Sequence, residues 1–264
     1  MALISKVIVQ DNLKEAIAKA VSQIGGFGQF IKSGDKVLLK PNFNTADAYP
    51  ASSDPVFLRA VVELVYQAGA SQVIIGDAST MSVKTRQVME KLGIFDLEKS
   101  FSPVPKILVF EEGKWVKKKI PQGKYLKSVS VPEILDQVDK LILLPCLKTH
   151  FLAQYTGSIK IVVGFMKPIE RLRMHAGHLK EKVAELALVI SPDLILMDAR
   201  KCFITKGPTD GALAQPNLIL ASESRINIDI EGIKIIQSFE GNSLAGIQPE
   251  DIGQIKRARE IGIK

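Results

Sequence analysis

Four short apolar runs recur along the chain: KVLLK at 36–40, QVII at 72–75, KLILL at 140–144 and LILM at 194–197. Each stops at once, at Pro41, Gly76-Asp77, Pro145 and Asp198. Runs this short and this apolar fit strands covered on both faces. Segments of helical periodicity separate them. Residues 12–24 repeat apolar positions at 13, 17, 20, 21 and 24, and residues 55–68 follow Asp54 as cap and Pro55 at the first helical position. Further helices are expected over 83–92, 132–138, 177–190, 224–239 and 249–261, and further strands over 3–9 and 217–221. Between 103 and 131 the rhythm changes to short strands (106–110, 115–120, 128–131) with glycine-containing turns. The stretch 146–176 is polar and glycine-rich, and within it 159–163 reads as a strand. Strands alternating with helices predict an α/β class: a largely parallel or mixed central sheet with helices on both faces, plus a small β meander near residues 103–131. The 264 residues are expected to form a single domain.

Hydrophobic residues make up 46% and charged residues 24%, near the globular average, which excludes a disordered or fibrous chain. No apolar run approaches the roughly 20 residues of a membrane-spanning helix. Residues 1–9 lack the layout of a secretory signal, and Cys146 and Cys202 are too few for a disulfide framework. The expected setting is reducing and cytoplasmic. Net charge is +7, yet six lysines between Lys114 and Lys127 supply nearly all of it. That segment has no arginine and few aromatic residues, so nucleic acid is not the expected partner and a solvated β surface is the plain interpretation.

In open α/β sheets, ligands bind beyond the carboxyl ends of the parallel strands, where loops converge. The residues just after the apolar runs are therefore the candidates. Lys40 and Asn42 follow the first run, Asp77 the second, Lys148, Thr149 and His150 the third, and Asp198 the fourth. Lys148, Lys160, Lys167, Arg171 and Arg173 crowd one region, and Thr156-Gly157-Ser158 adds hydroxyls and a flexible backbone. Cations and hydroxyls together suit a phosphate or carboxylate. Neither a Walker loop nor a dinucleotide fingerprint occurs. His175 and His178, three apart, share a face if helical, and with Asp198 they make a candidate set for a divalent metal.

At these residues the chain resembles the family called domain of unknown function 362. The matching pieces are Leu39-Lys40-Pro41-Asn42, Gly76-Asp77, Leu144-Pro145-Cys146-Leu147-Lys148-Thr149-His150, and Thr156-Gly157-Ser158-Ile159-Lys160 followed by Gly164. His175, Asp198, Gly207-Pro208 and Asp229 continue the match, over about 36–230. The family has no general assigned reaction. Many members carry a ferredoxin-type domain, so the resemblance implies association with iron–sulfur proteins. This chain lacks a C-x-x-C-x-x-C run, and no intrinsic iron–sulfur cluster is expected.

The resulting expectation is an enzyme acting on a small anionic substrate, metal-assisted if the histidine set assembles. His150, Lys148 and Asp77 are the expected catalytic groups, and Lys40, Asn42, Thr149, Ser158 and Lys160 the expected substrate contacts. The alternative is a non-catalytic module that binds a metabolite or docks on an acidic or iron–sulfur partner through the lysines of 114–127.

Overall fold

The computed structural model describes residues 3–263. Its amino-terminal half runs β1 (Ile4–Ile8), α1 (Leu13–Ser22), α2 (Phe27–Phe30), β2 (Lys36–Lys40), α3 (Pro55–Gln67), β3 (Gln72–Asp77), α4 (Thr85–Lys91), β4 (Lys106–Val109), β5 (Trp115–Lys119) and β6 (Ser128–Pro132). The chain continues through β7 (Lys140–Leu143), β8 (Cys146–His150), β9 (Gln154–Thr156), α5 (Ser158–Ile161), α6 (Leu172–His175) and α7 (Leu179–Leu186). It ends with β10 (Leu194–Phe203), β11 (Leu213–Ala214), β12 (Leu218–Ser222), α8 (Arg225–Gln237) and α9 (Gly253–Glu260).

Strand order across the large sheet is β1-β12-β10-β7-β2-β3-β4. From β10 to β4 every neighbour is parallel, while β12 runs antiparallel to both β10 and β1. Two apolar layers cover this sheet. Val37 and Leu39 pack with α1, α3 and α4, whereas Leu38 packs on the opposite face with α5, α7, α8 and α9. The same alternation holds at 73–75, 141–144 and 194–197. Successive strand side chains point to opposite faces, so a run apolar at every position fills two cores at once. Helix ends follow the sequence signals: Asn12, Asp54 and Ser224 each cap a helix through a side-chain oxygen.

The α/β class is as expected; several elements differ. Residues 106–109 belong to the edge of the large sheet, parallel to β3, and only β5 and β6 pair as a separate antiparallel hairpin. Residues 133–136 form a 3₁₀ turn where a helix was expected. The segment 159–163 is helical, as α5 followed by a 3₁₀ turn. Its β-branched composition favours a strand, but the Ser158 and Ile159 N–H groups at its start are captured by a carboxylate from another element, and tertiary context overrides propensity. The strand expected over 193–197 extends to Phe203, so Asp198 lies inside β10 and away from a strand end.

Candidate functional site

Lys40 is two residues beyond Leu38 and falls on the same face of the sheet, toward the 158–165 segment. There its Nζ lies 2.7 Å from Asp77 Oδ1, both side chains almost fully buried. It also donates to the Pro41 carbonyl at 2.6 Å and stands 5.6 Å from the centre of the Phe165 ring. Asp77 accepts in addition from the Phe43 and Ala78 N–H groups, each at 2.7 Å. Burial draws the Lys40 pKa down, opposed by Asp77.

After β7, Pro145 breaks the strand and the chain starts again as β8, which runs alongside the outer part of β10. β8 turns back as β9, with Lys148 opposite Thr156. Cross-strand partners share a face, and both side chains line one cavity. The Lys148 ammonium donates to the carbonyls of Pro50, at 3.1 Å, and Ala51. Burial pushes its pKa down to about 8.

Lys160 reaches the cavity from α5. Asp229 on α8 holds the start of that helix, accepting from Ser158 N at 2.6 Å and Ile159 N at 3.0 Å. Burial raises Asp229 to about 6. Burial also lowers Lys160 to about 8, reinforced by the positive charges of Lys148 and Arg171. No hydrogen-bond acceptor or carboxylate meets its ammonium among the described residues. Arg171 completes the wall, donating to the carbonyls of Ser79 at 2.5 Å, Ala78 at 2.9 Å and Met166 at 3.1 Å.

The cavity these groups enclose is about 60 Å³, room for a few waters or one small anionic group. Lys40, Lys148, Lys160 and Arg171 line it against a single carboxylate, Asp77. The buried Thr156 hydroxyl on its wall has no hydrogen-bond partner among the described residues. Asn42 lines it too, while its amide donates to Ala51 O at 2.9 Å and steadies that loop. A second chamber of about 390 Å³ shares Lys160, Arg171, Asn44, Val163 and Pro208 with the first, and His150 borders it. The His150 Nδ1 accepts from Leu152 N at 3.1 Å and Ala153 N at 3.2 Å.

Of the residues expected from sequence, Lys40, Asn42, Asp77, Lys148 and Lys160 stand around one recess, with His150 at the adjoining chamber. Ser158 and Thr149 do not line it. Ser158 is held by Asp229 and by the Arg225 carbonyl, at 3.1 Å from its hydroxyl. Thr149 is buried, and its hydroxyl has no partner among the described residues. Asp198 takes another part: it accepts from Tyr49 OH at 2.7 Å and from Arg200 at 2.7 and 3.0 Å. Through Tyr49 it anchors the loop whose Pro50 and Ala51 carbonyls receive Lys148. His178 stacks on Tyr125 with ring centres 4.1 Å apart, and the His175 side chain lies outside the described residues. No group of three His, Cys, Asp or Glu side chains is placed to hold a metal ion among the described residues. Asn44 received no role from sequence, and Arg171 only a shared one, as a member of the cation cluster suited to an anion. Both lie outside regular strands, in segments without a periodic signal, although arginine within a cation-rich stretch was visible there.

Burial pushes the thiols of Cys146 to about 11 and Cys202 to about 12, which keeps both protonated and poorly nucleophilic at neutral pH. No helix among the described residues is long and apolar enough to cross a membrane.

Comparison with known proteins adds three findings. A thylakoid-associated protein of Synechocystis sp. is 28% identical over 234 residues, which cover 86% of this chain and 70% of that protein. The lactate racemase apoprotein from Thermoanaerobacterium thermosaccharolyticum superposes with a TM-score of 0.48 at 10% identity; the match covers 88% of this chain and 62% of that longer one. The family model for the domain of unknown function DUF362 matches residues 37–234, a span that contains every residue of the recess, and the chain belongs to that family.

Proposed function

We propose that the chain is an enzyme acting on a small carboxylate or phosphate bound in the basic recess beyond the parallel strands. Lys160 carries this reading. A half-buried lysine that feels two other cations, with no acceptor among the described residues, is a destabilising arrangement for packing alone, and an anion relieves it. Lys160 and Arg171 grip the anion, and the Thr156 hydroxyl donates a further hydrogen bond. Lys148, with its pKa near 8, is poised to exchange a proton close to neutral pH. His150, bordering the second chamber, is the proton carrier for substrate atoms beyond the recess. The donors on the wall of the recess make no metal set, and no step runs through a metal. Buried, unpaired Cys146 and Cys202 fit a reducing setting such as the cytoplasm.

A second reading, a non-catalytic module docking an acidic partner, draws on Lys114, Lys117, Lys119, Lys124 and Lys127, exposed around the β5–β6 hairpin.

Titration calorimetry with sulfate and inorganic phosphate tests the recess. Wild type is expected to bind, and Lys160→Met to bind about 10- to 100-fold more weakly while melting at a higher temperature. Absence of binding to wild type, or equal affinity in the variant, overturns the proposal.

A further inference from the structure

The second chamber differs in character from the recess it joins. Its wall is apolar, formed by Met81, Phe151, Leu152, Leu172, Met174 and Val183. Three separate segments bring those residues together: the loop after β3, the β8–β9 turn, and the α6–α7 region. At its mouth several stay open to solvent, Phe151 at 70%, Leu172 at 56%, Leu152 at 47% and Met81 at 43% exposed. Exposed apolar side chains gathered at one mouth mark a binding site. Lys160 and Arg171 line both spaces, so the apolar chamber carries two of the recess's cations on its own wall.

We infer that the site takes a soluble amphiphilic anion, its charged group on Lys160 and Arg171 and its hydrocarbon part along Phe151, Leu152, Leu172 and Met174. The inference rests on the anion reading of the recess and adds the substrate class. The sizes support this division. About 60 Å³ admits only the head group, while about 390 Å³ lies within the range of pockets that bury an organic ligand.

The test is a series of alkane-1-sulfonates from methane to hexane, whose charge stays fixed over the working pH range. Each added methylene buried is expected to tighten binding up to about fourfold until the chamber is filled. The Phe151→Ser/Leu172→Ser variant changes two exposed side chains, so folding should survive. It should lose most of the gain with chain length, its ratio of hexanesulfonate to methanesulfonate affinity falling toward one.

Three results overturn the inference. If methanesulfonate and sulfate bind but affinity is flat along the series, the anion reading stands and the amphiphile does not. If no sulfonate and no sulfate binds, both fall together. If the protein sediments with phosphatidic-acid vesicles and hexanesulfonate does not compete, the apolar mouth meets a membrane lipid instead of a soluble molecule.

Discussion

Gly164 shows how tightly the recess is fitted around its ion pair. A Cβ there would stand 2.5 Å from Asp77 Oδ1 and 2.6 Å from Lys40 Nζ, whereas the pair itself is only 2.7 Å apart. An added methyl must push the pair open or move the backbone, because the groups on either side are buried and already bonded. Gly164→Ala is therefore expected to lower stability by about 1–3 kcal/mol, read from the urea midpoint. Gly28→Ala supplies the opposite sign. Its Cβ would meet nothing within 4 Å, and it lies inside α2, where alanine is preferred by about 0.5–1 kcal/mol. Equal costs at the two positions would show that the wall around the ion pair yields freely. Both partners of the ion pair were visible in the sequence as strand-end residues, but their pairing was not. That Gly164 faces the pair was not visible either, because a glycine chosen for a close approach across 124 positions leaves no local pattern.

Among the elements, α5 carries the most consequence for its length. It is only Ser158–Ile161, far too short to persist alone. It exists because Gly157 lets the chain pass beside Asp229, whose carboxylate accepts from two successive N–H groups at its start. Asp229→Ala leaves both N–H groups buried without acceptors. The expected cost is about 1–3 kcal/mol in urea unfolding, with weaker sulfate binding because Lys160 rides on this helix. Asp229→Asn keeps one acceptor and should fall between the two. If Asp229→Ala unfolds like wild type and binds sulfate unchanged, the helix does not depend on this contact. The episode explains what the sequence made legible. Strands filling two cores read clearly at 36–40, 72–75, 140–144 and 194–197, since burial on both faces demands a continuous apolar run. Residues 159–163 read wrongly because their helix is imposed by a carboxylate 70 positions away. Asp198 looked like a strand end because LILM stops there. In fact β10 goes on as a polar-containing strand paired with β8, and Asp198 turns to the loop that supports Lys148.

Across the whole molecule, one rim of the sheet gathers positive charge into low dielectric, and that sets two opposed dependences on pH. Lys148 and Lys160 have pKa values near 8 in the fold, against an ordinary 10.5. Between those values the unfolded chain holds more protons than the folded one, so folding stability rises with pH across this window. Below about 8 the cost of keeping Lys148 charged in the interior, and Lys160 charged at the half-buried wall, is present in full. An anion in the recess responds the other way, since it needs the charged lysines, and its affinity falls as pH passes upward through about 8. Sulfate keeps its own charge throughout. Melting curves at pH 7, 8, 9 and 10, with and without sulfate, are thus expected to converge: the sulfate-free protein gains relative to Lys148→Met/Lys160→Met, while the increment due to sulfate shrinks. A sulfate increment that stays constant from pH 7 to pH 10 would place the bound anion away from Lys148 and Lys160 and empty the recess of its assigned role.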